Sequence, residues 1–246
     1  MVVLNGYLLL NIVISRVTLR AERQDVPPPR WIKPIIILSI PWAISIHTVT
    51  AFIYCGLGAR SFWLTAILAP RFLASAFASG PALLILLCLL VRKLTHFDPG
   101  KEPLQKLALI ATYAMCLNLF FIVLEVFTAY YSAIPEHTVH FEYLYFGVNG
   151  ANALVPWMWT SIVIAVLAVI LLLVPSARRN ESILALACIG VFVSIWIDKG
   201  LGMVVTGFVP SPLGTVTEYW PTMPELFISL GIYAMGLLIL TGLFKI

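Results

Sequence analysis

Apolar residues run in long blocks along this chain, broken by short clusters of charge, proline and glycine. The blocks show neither the alternation of a half-exposed strand nor the polar stripe of a surface helix. They predict helices that are apolar all round. A helix needs ~20 such residues to cross a ~30 Å hydrocarbon core. Full-length blocks fall at 34–54, 72–91, 107–131, 155–174, 183–208 and 226–244. Pro41 is expected to kink the first of them. Ala74, Ser75, Ala78 and Ser79 give the second an i, i+4 run of small residues that lets another helix approach closely.

The first block, residues 2–15, is about 14 residues long and too short to span. Arg16, Arg20 and Arg23 follow it rather than precede it, unlike the order in a signal peptide. Two readings stay open: the end of a span that begins upstream, or a short interfacial helix. The expected fold is therefore an all-α polytopic transmembrane bundle of about six full spans plus a partial N-terminal one. Residues 1–246 are expected to form one membrane domain, with missing N-terminal helices as the open alternative.

Composition agrees. The chain is 61% hydrophobic and only 11% charged, with mean hydropathy +1.00. Soluble domains are roughly a quarter charged. The net charge of +4 is spread over short loops, which points to membrane anchoring rather than to nucleic acid. Basic residues gather at 16–33, 92–106 and 178–179, with Lys245 at the end. Glu136, Glu142, Glu218 and Glu225, with Arg60, fall in the alternate connections. The positive-inside rule makes the first set, and the C-terminus, cytoplasmic. Trp63, Tyr130, Tyr131, Trp157, Tyr219 and Trp220 then form an outer aromatic belt.

Cys55, Cys88, Cys116 and Cys188 lie in or at the ends of apolar blocks, with no CxxC pair. Zinc and iron–sulfur sites need clustered ligands, so none is expected, and the thiols read as small hydrophobes. His96, His137 and His140 fall in connections and only His47 lies within a span. A transmembrane b-haem held by two facing histidines is not expected either.

Ionisable groups inside the spans carry the candidate chemistry. Arg or Asp in hydrocarbon costs at least ~2.5–3.5 kcal/mol on insertion scales. His47 lies ~20 Å along its helix from Pro34 at 1.5 Å per residue. Arg71 stands at the mouth of the next span, Glu125 far along the fourth block, and Asp198 and Lys199 in the outer half of the sixth. Four spans thus place charge at one depth. His47, Thr50 and Tyr54 share a helical face, as do Asn118, Glu125 and Thr128, and Ser194 lies one turn from Asp198. Adjacent Asp198 and Lys199 point about 100° apart and need not pair. Interhelix ion pairs such as Arg71–Glu125 that merely hold the bundle are one explanation, and an Arg71 that snorkels to the interface is another. The functional explanation is a pocket for an amphipathic ligand with a proton route. Histidine and carboxylates suit a quinol, whose oxidation releases two protons. His47 and Glu125 are the expected proton-handling pair, the imidazole accepting a proton and passing it to the carboxylate. Arg71, Asp198 and Lys199 are expected to bind the head group or tune its charge.

The segments IHTVTAF, APRF, SAFASGPALL, LEVFTAYYS and TEYWPTMPE resemble the NrfD/polysulfide-reductase membrane subunits, and most of all the DsrP-type branch of the Dsr respiratory complexes. The resemblance covers nearly the whole chain and is strongest over 46–84. It implies a haem-free bundle without iron–sulfur clusters that binds menaquinone near the outer face. It implies electron exchange with an extracytoplasmic, ferredoxin-like, DsrO-like iron–sulfur subunit. It also implies Dsr-type neighbours: a cytochrome b-like membrane subunit, a cytochrome c and a cytoplasmic Hdr-like iron–sulfur protein. Family members have eight to ten spans built as two four-helix bundles. The long aromatic loops at 134–154 and 209–225 are the expected docking surface. A secondary transporter, with polar groups at mid-membrane on broken helices, and a purely structural anchor are the rival functions.

Overall fold

The computed structural model describes residues 1–95, 98–218 and 221–245, without the side chains of 244 and 245. The expectations on His96, Tyr219, Trp220 and the Lys245 side chain lie outside the described residues. The fold is helical: α1 Val2–Arg23, α2 Ile32–Cys55, α3 Leu68–Leu94, α4 Lys101–Ser132, α5 Pro135–Tyr145, α6 Val155–Leu173, α7 Pro175–Arg179, α8 Glu181–Trp196, α9 Val204–Phe208 and α10 Met223–Lys245. A π-helical stretch, Ile197–Met203, joins α8 to α9 without a break, giving one membrane-length helix over Glu181–Phe208. Among the described residues, seven helices are long and apolar enough to cross a membrane.

Two expectations need correction. The first apolar block does not stop at residue 15. α1 continues through Arg16 and Arg20 to Arg23, 22 residues in all, because long basic side chains at a helix end can reach water without breaking the helix. The connection 134–154 is not a plain loop. Pro135 at the first helical position and Glu136 in the first turn start α5.

α3, α4, α6 and α8 form a four-helix bundle, α4 packing on α3 and α6, and α8 on α3 and α6. α2 lies along α3, and α1 along α2. Every described side chain of α10 is exposed, and its Tyr233 hydroxyl accepts from the Trp196 indole at 3.2 Å. Small residues set the bundle's spacing. Ala78, Ala82, Ala108, Ala165, Ala168 and Ala187 are all buried, and Gly190 lies against the Ala168 methyl group and Ile164.

The core has two apolar parts. One, at the end bearing the basic loops, joins Ile85, Leu104, Met115, Leu172, Leu184 and Val191. The other, at the opposite, acidic end, joins Phe62, Trp63, Phe72, Phe141, Leu144 and Met158. Buried Arg71, Ser75, Asn118, Glu125, Ser161, Ser194 and Asp198 lie between or beside them. Arg92 of α3 binds Glu181 of α8 through both guanidinium nitrogens, one at 3.0 Å, and ties the basic end. Asn180 starts α8 by accepting from the amides of Ser182 and Ile183 at 3.1 and 3.4 Å.

Candidate functional site

α3 begins at Leu68, so Arg71 sits in its first full turn and faces the bundle. It is 5% exposed, which excludes snorkelling. Its Nη1 donates to Glu125 Oε2 and its Nη2 to Asp198 Oδ1 at 2.6 Å. Lys199 Nζ lies 3.3 Å from Asp198 Oδ2 and 5.6 Å from the centre of the Phe72 ring. The expectation that Asp198 and Lys199 need not pair is corrected here. Both lie in the π-helical stretch, whose wider turn departs from the ~100° step of an α-helix. Two cations and two carboxylates thus form a quartet that is neutral by formal charge. Arg71 Nε has no hydrogen-bond partner.

Sequence reading missed Tyr145, because α5 had been expected as loop. Tyr145 ends α5 and lines two cavities together with Asp198. Burial, and then the nearby Asp198 carboxylate, push its phenol up to about 12, against the pull of Arg71. It therefore remains a hydrogen-bond donor at any working pH. Its position is fixed from behind. Trp159 Nε1 donates to the Tyr145 carbonyl at 3.0 Å. The Asn149-Gly150 pair, both left-handed, closes the Val148–Ala151 bridge that turns the chain from α5 into α6.

Three cavities meet at the quartet. A largely apolar one of ≈ 540 Å³ lies between α4, α5 and α6, lined by Ile122, Val126, Tyr145, Trp159, Ile162 and, at its polar end, Asp198. Half-exposed Trp159 and exposed Val123 and Val166 stand at its rim, so it opens sideways, toward lipid. A void of ≈ 10 Å³ is bounded by Arg71, Glu125, Tyr145 and Asp198, about the room one water needs. A third, of ≈ 220 Å³, runs from Glu125 past Thr65, Thr128 and Ser132 to His137.

His47 is not brought to the quartet. It is half-buried and lines a separate cavity of ≈ 470 Å³ with Tyr7, Ser39, Phe77 and Pro81. That cavity shares no lining residue with the other three. His47 and Glu125 thus serve different spaces, and the expected hand-off from one to the other is not built into this arrangement.

Above the quartet the acidic end is capped by Trp63. The indole is 1% exposed and its Nε1 donates to the Met203 carbonyl at 3.0 Å. Gly207 packs on the same ring so closely that a Cβ there would overlap it. Beside it, buried His140 shares a hydrogen bond with Ser61 Oγ at 2.9 Å.

A helical bundle with a neutral charge quartet beside a lipid-facing cavity defines a class: polytopic membrane proteins that handle an amphipathic ligand together with charge. The particular family follows from sequence comparison. The chain belongs to the NrfD polysulphide reductase family, whose model matches residues 8–201. It is also 25% identical over 234 residues to a protein of Halobacterium salinarum (strain ATCC 700922 / JCM 11081 / NRC-1) described as a "Putative dimethyl sulfoxide reductase membrane subunit". The match covers 84% of this chain and 51% of that protein, so the chain spans about half the length of the curated relative it matches.

Proposed function

We propose that this chain is the quinone-reactive membrane subunit of a respiratory redox complex. It exchanges electrons between menaquinol or menaquinone and an extracytoplasmic iron–sulfur subunit. The observation that carries the reading is the ≈ 540 Å³ apolar cavity ending on Asp198 and Tyr145. An isoprenoid quinone needs apolar walls, an opening toward lipid, and a few polar groups at one end for the head group. Tyr145 would donate to a quinone oxygen and Asp198 would take or return its proton. Arg71, held against both carboxylates, keeps the charge balanced while Asp198 changes state. When bound, the quinol supplies two electrons and two protons.

The family assignment supports the quinone-linked role. Resemblance to the DsrP-type branch favours menaquinone and a place in sulfur or sulfate metabolism. On that reading the partners are a DsrO-like ferredoxin subunit, a cytochrome b-like subunit, a cytochrome c and a cytoplasmic Hdr-like protein. The positive-inside pattern favours the cytoplasmic membrane with the C-terminus inside. The iron–sulfur partner then meets the acidic end, where Glu218 already ties the two long connections by accepting from the Ala153 amide at 2.9 Å. A second reading places the head group at His47, because the ≈ 470 Å³ cavity also combines apolar walls with polar groups, His47, Tyr7 and Ser39.

A photoreactive menaquinone analogue in the purified complex tests both. Labels on Ile122, Val126 or Ile162 support the first site, and labels on Ile40, Ile44 or Phe77 the second. Absence of any quinone-protectable label overturns the quinone reading.

A further inference from the structure

The cavities at the quartet form a series. Tyr145 and Asp198 line both the apolar cavity and the one-water void. Glu125, Phe62 and Phe141 line both that void and the ≈ 220 Å³ vestibule. The two carboxylates held by Arg71 thus face two different spaces: Asp198 the apolar one, Glu125 the polar one.

The vestibule's chemistry differs from that of the apolar cavity. Thr128 Oγ1 donates to the Leu124 carbonyl at 2.7 Å and Ser132 Oγ to the Ala129 carbonyl at 3.1 Å. With their hydrogens turned to the backbone, both hydroxyls are left with acceptor lone pairs for water. Thr65 Oγ1 accepts from the Ile67 amide at 3.3 Å and keeps its own hydrogen to donate. His137 lines the vestibule from α5, in the 134–154 connection beyond the end of α4, and can donate or accept. Polar groups of both kinds therefore run from a buried carboxylate to the acidic end.

We propose that this vestibule is a proton exit separate from the quinone's entrance: a proton taken by Asp198 passes through one water in the void to Glu125, and from Glu125 along vestibule water past Ser132 to His137. The route rests on the quinone reading above. For each quinol oxidised, two electrons go to one-electron iron–sulfur acceptors in the partner and two protons are released. The route carries protons only, forms no covalent bond and runs backwards when quinone is reduced. Dividing the two paths keeps bulk water out of the apolar cavity while the carboxylates stay connected to an aqueous phase. Glu125 and His137 are proton carriers in this scheme, and Thr128 and Ser132 position the water.

The test uses the whole complex. Ser132→Cys and Thr128→Cys are introduced and treated with a bulky, water-soluble methanethiosulfonate, with the similarly treated wild type controlling for the native cysteines. The proposal expects both to react and quinol-linked turnover to fall roughly a hundredfold, the low end of what losing a proton-transfer group costs. Photolabelling by the quinone analogue should stay at the wild-type level, and the solvent deuterium isotope effect should rise. Glu125→Gln should lower turnover without modification, again with labelling intact. Modified variants with wild-type turnover and isotope effect, or cysteines that never react, overturn the route while leaving the quinone reading standing. A wild-type complex with no quinol turnover overturns the quinone reading and the route with it. A block that also removes quinone labelling overturns the separation of the two paths.

Discussion

Asp198 and Glu125 stand on helices diagonal to one another in the bundle, yet both accept from one guanidinium, that of Arg71. Each charge is nine-tenths or more buried, so each depends on the others. Losing one partner of a buried ion pair costs about 3–5 kcal/mol, whereas replacing the whole set by apolar residues of similar size is often neutral.

Arg71→Met is therefore expected to stop the complex accumulating, or to destabilise it by about 3–5 kcal/mol. Arg71→Met combined with Glu125→Met, Asp198→Met and Lys199→Met should recover assembly, with no quinol activity. Thermal unfolding in detergent and turnover of the complex check both halves. A quadruple variant that assembles and keeps full turnover would make the quartet a structural staple and nothing more.

Gly207 and Trp63 offer a second test, far from any titration. A methyl group at Gly207 overlaps the indole ring, and the ring is held by its bond to the Met203 carbonyl. Gly207→Ala should cost about 1–3 kcal/mol through overpacking. Trp63→Phe should cost a similar amount by leaving the buried carbonyl without its donor. Combining Gly207→Ala with Trp63→Phe should cost less than the sum, because the smaller ring makes room for the methyl. Additive losses would mean that the two residues do not act through one contact.

His140 makes the acidic-end cap sensitive to pH. Burial lowers its pKa below the ordinary 6.5, with His137 and Arg60 adding to the effect and backbone hydrogen bonds at Val209 and Thr206 opposing it. The unfolded chain then binds more protons than the fold between the two values. Stability is fully present above about pH 6.5 and is lost as pH falls through the folded value. Melting curves between pH 7.5 and 5 should show that decline, and His140→Gln should flatten it. An unchanged pH dependence in the variant would assign the effect to another group.

Much of this was legible from the chain alone, for physical reasons. Apolar length reports a span directly, so six of the crossing helices could be placed, and α1 was missed only because arginines at its end looked like a stop. Arg71, Glu125 and Asp198 could be singled out because charge in hydrocarbon is costly whatever the fold. Their convergence on one guanidinium depends on which helices neighbour which, and apolar length carries no information about that. Tyr145 was out of reach while α5 was taken for loop, although Pro135 followed by Glu136 is a helix-start signal. The π-helical stretch left no sign beyond two glycines, Gly200 and Gly202. His47 shows the opposite error. It shares a depth with the quartet, but depth fixes only one coordinate of three, and its neighbours belong to a different cavity.

That division gives the last prediction, which asks where the quinone head group lies. In the apolar cavity Tyr145 donates one neutral hydrogen bond, worth about 1 kcal/mol net. Tyr145→Phe should therefore raise KM for the quinol about fivefold and change kcat little. Asp198→Asn removes the proton acceptor itself and should lower kcat by about 10²–10⁴. Asparagine is nearly the same size and still accepts from Arg71, so the complex should assemble. Ile162→Trp fills the cavity and should abolish quinone labelling. His47→Ala changes none of these walls and should leave KM and kcat within about twofold, because the two cavities share no lining residue. Steady-state kinetics of the four variants in the assembled complex decide the matter. If His47→Ala alone removes turnover while Tyr145→Phe and Asp198→Asn keep it, the head group sits between α1, α2 and α3, and the quartet serves the bundle rather than the quinone.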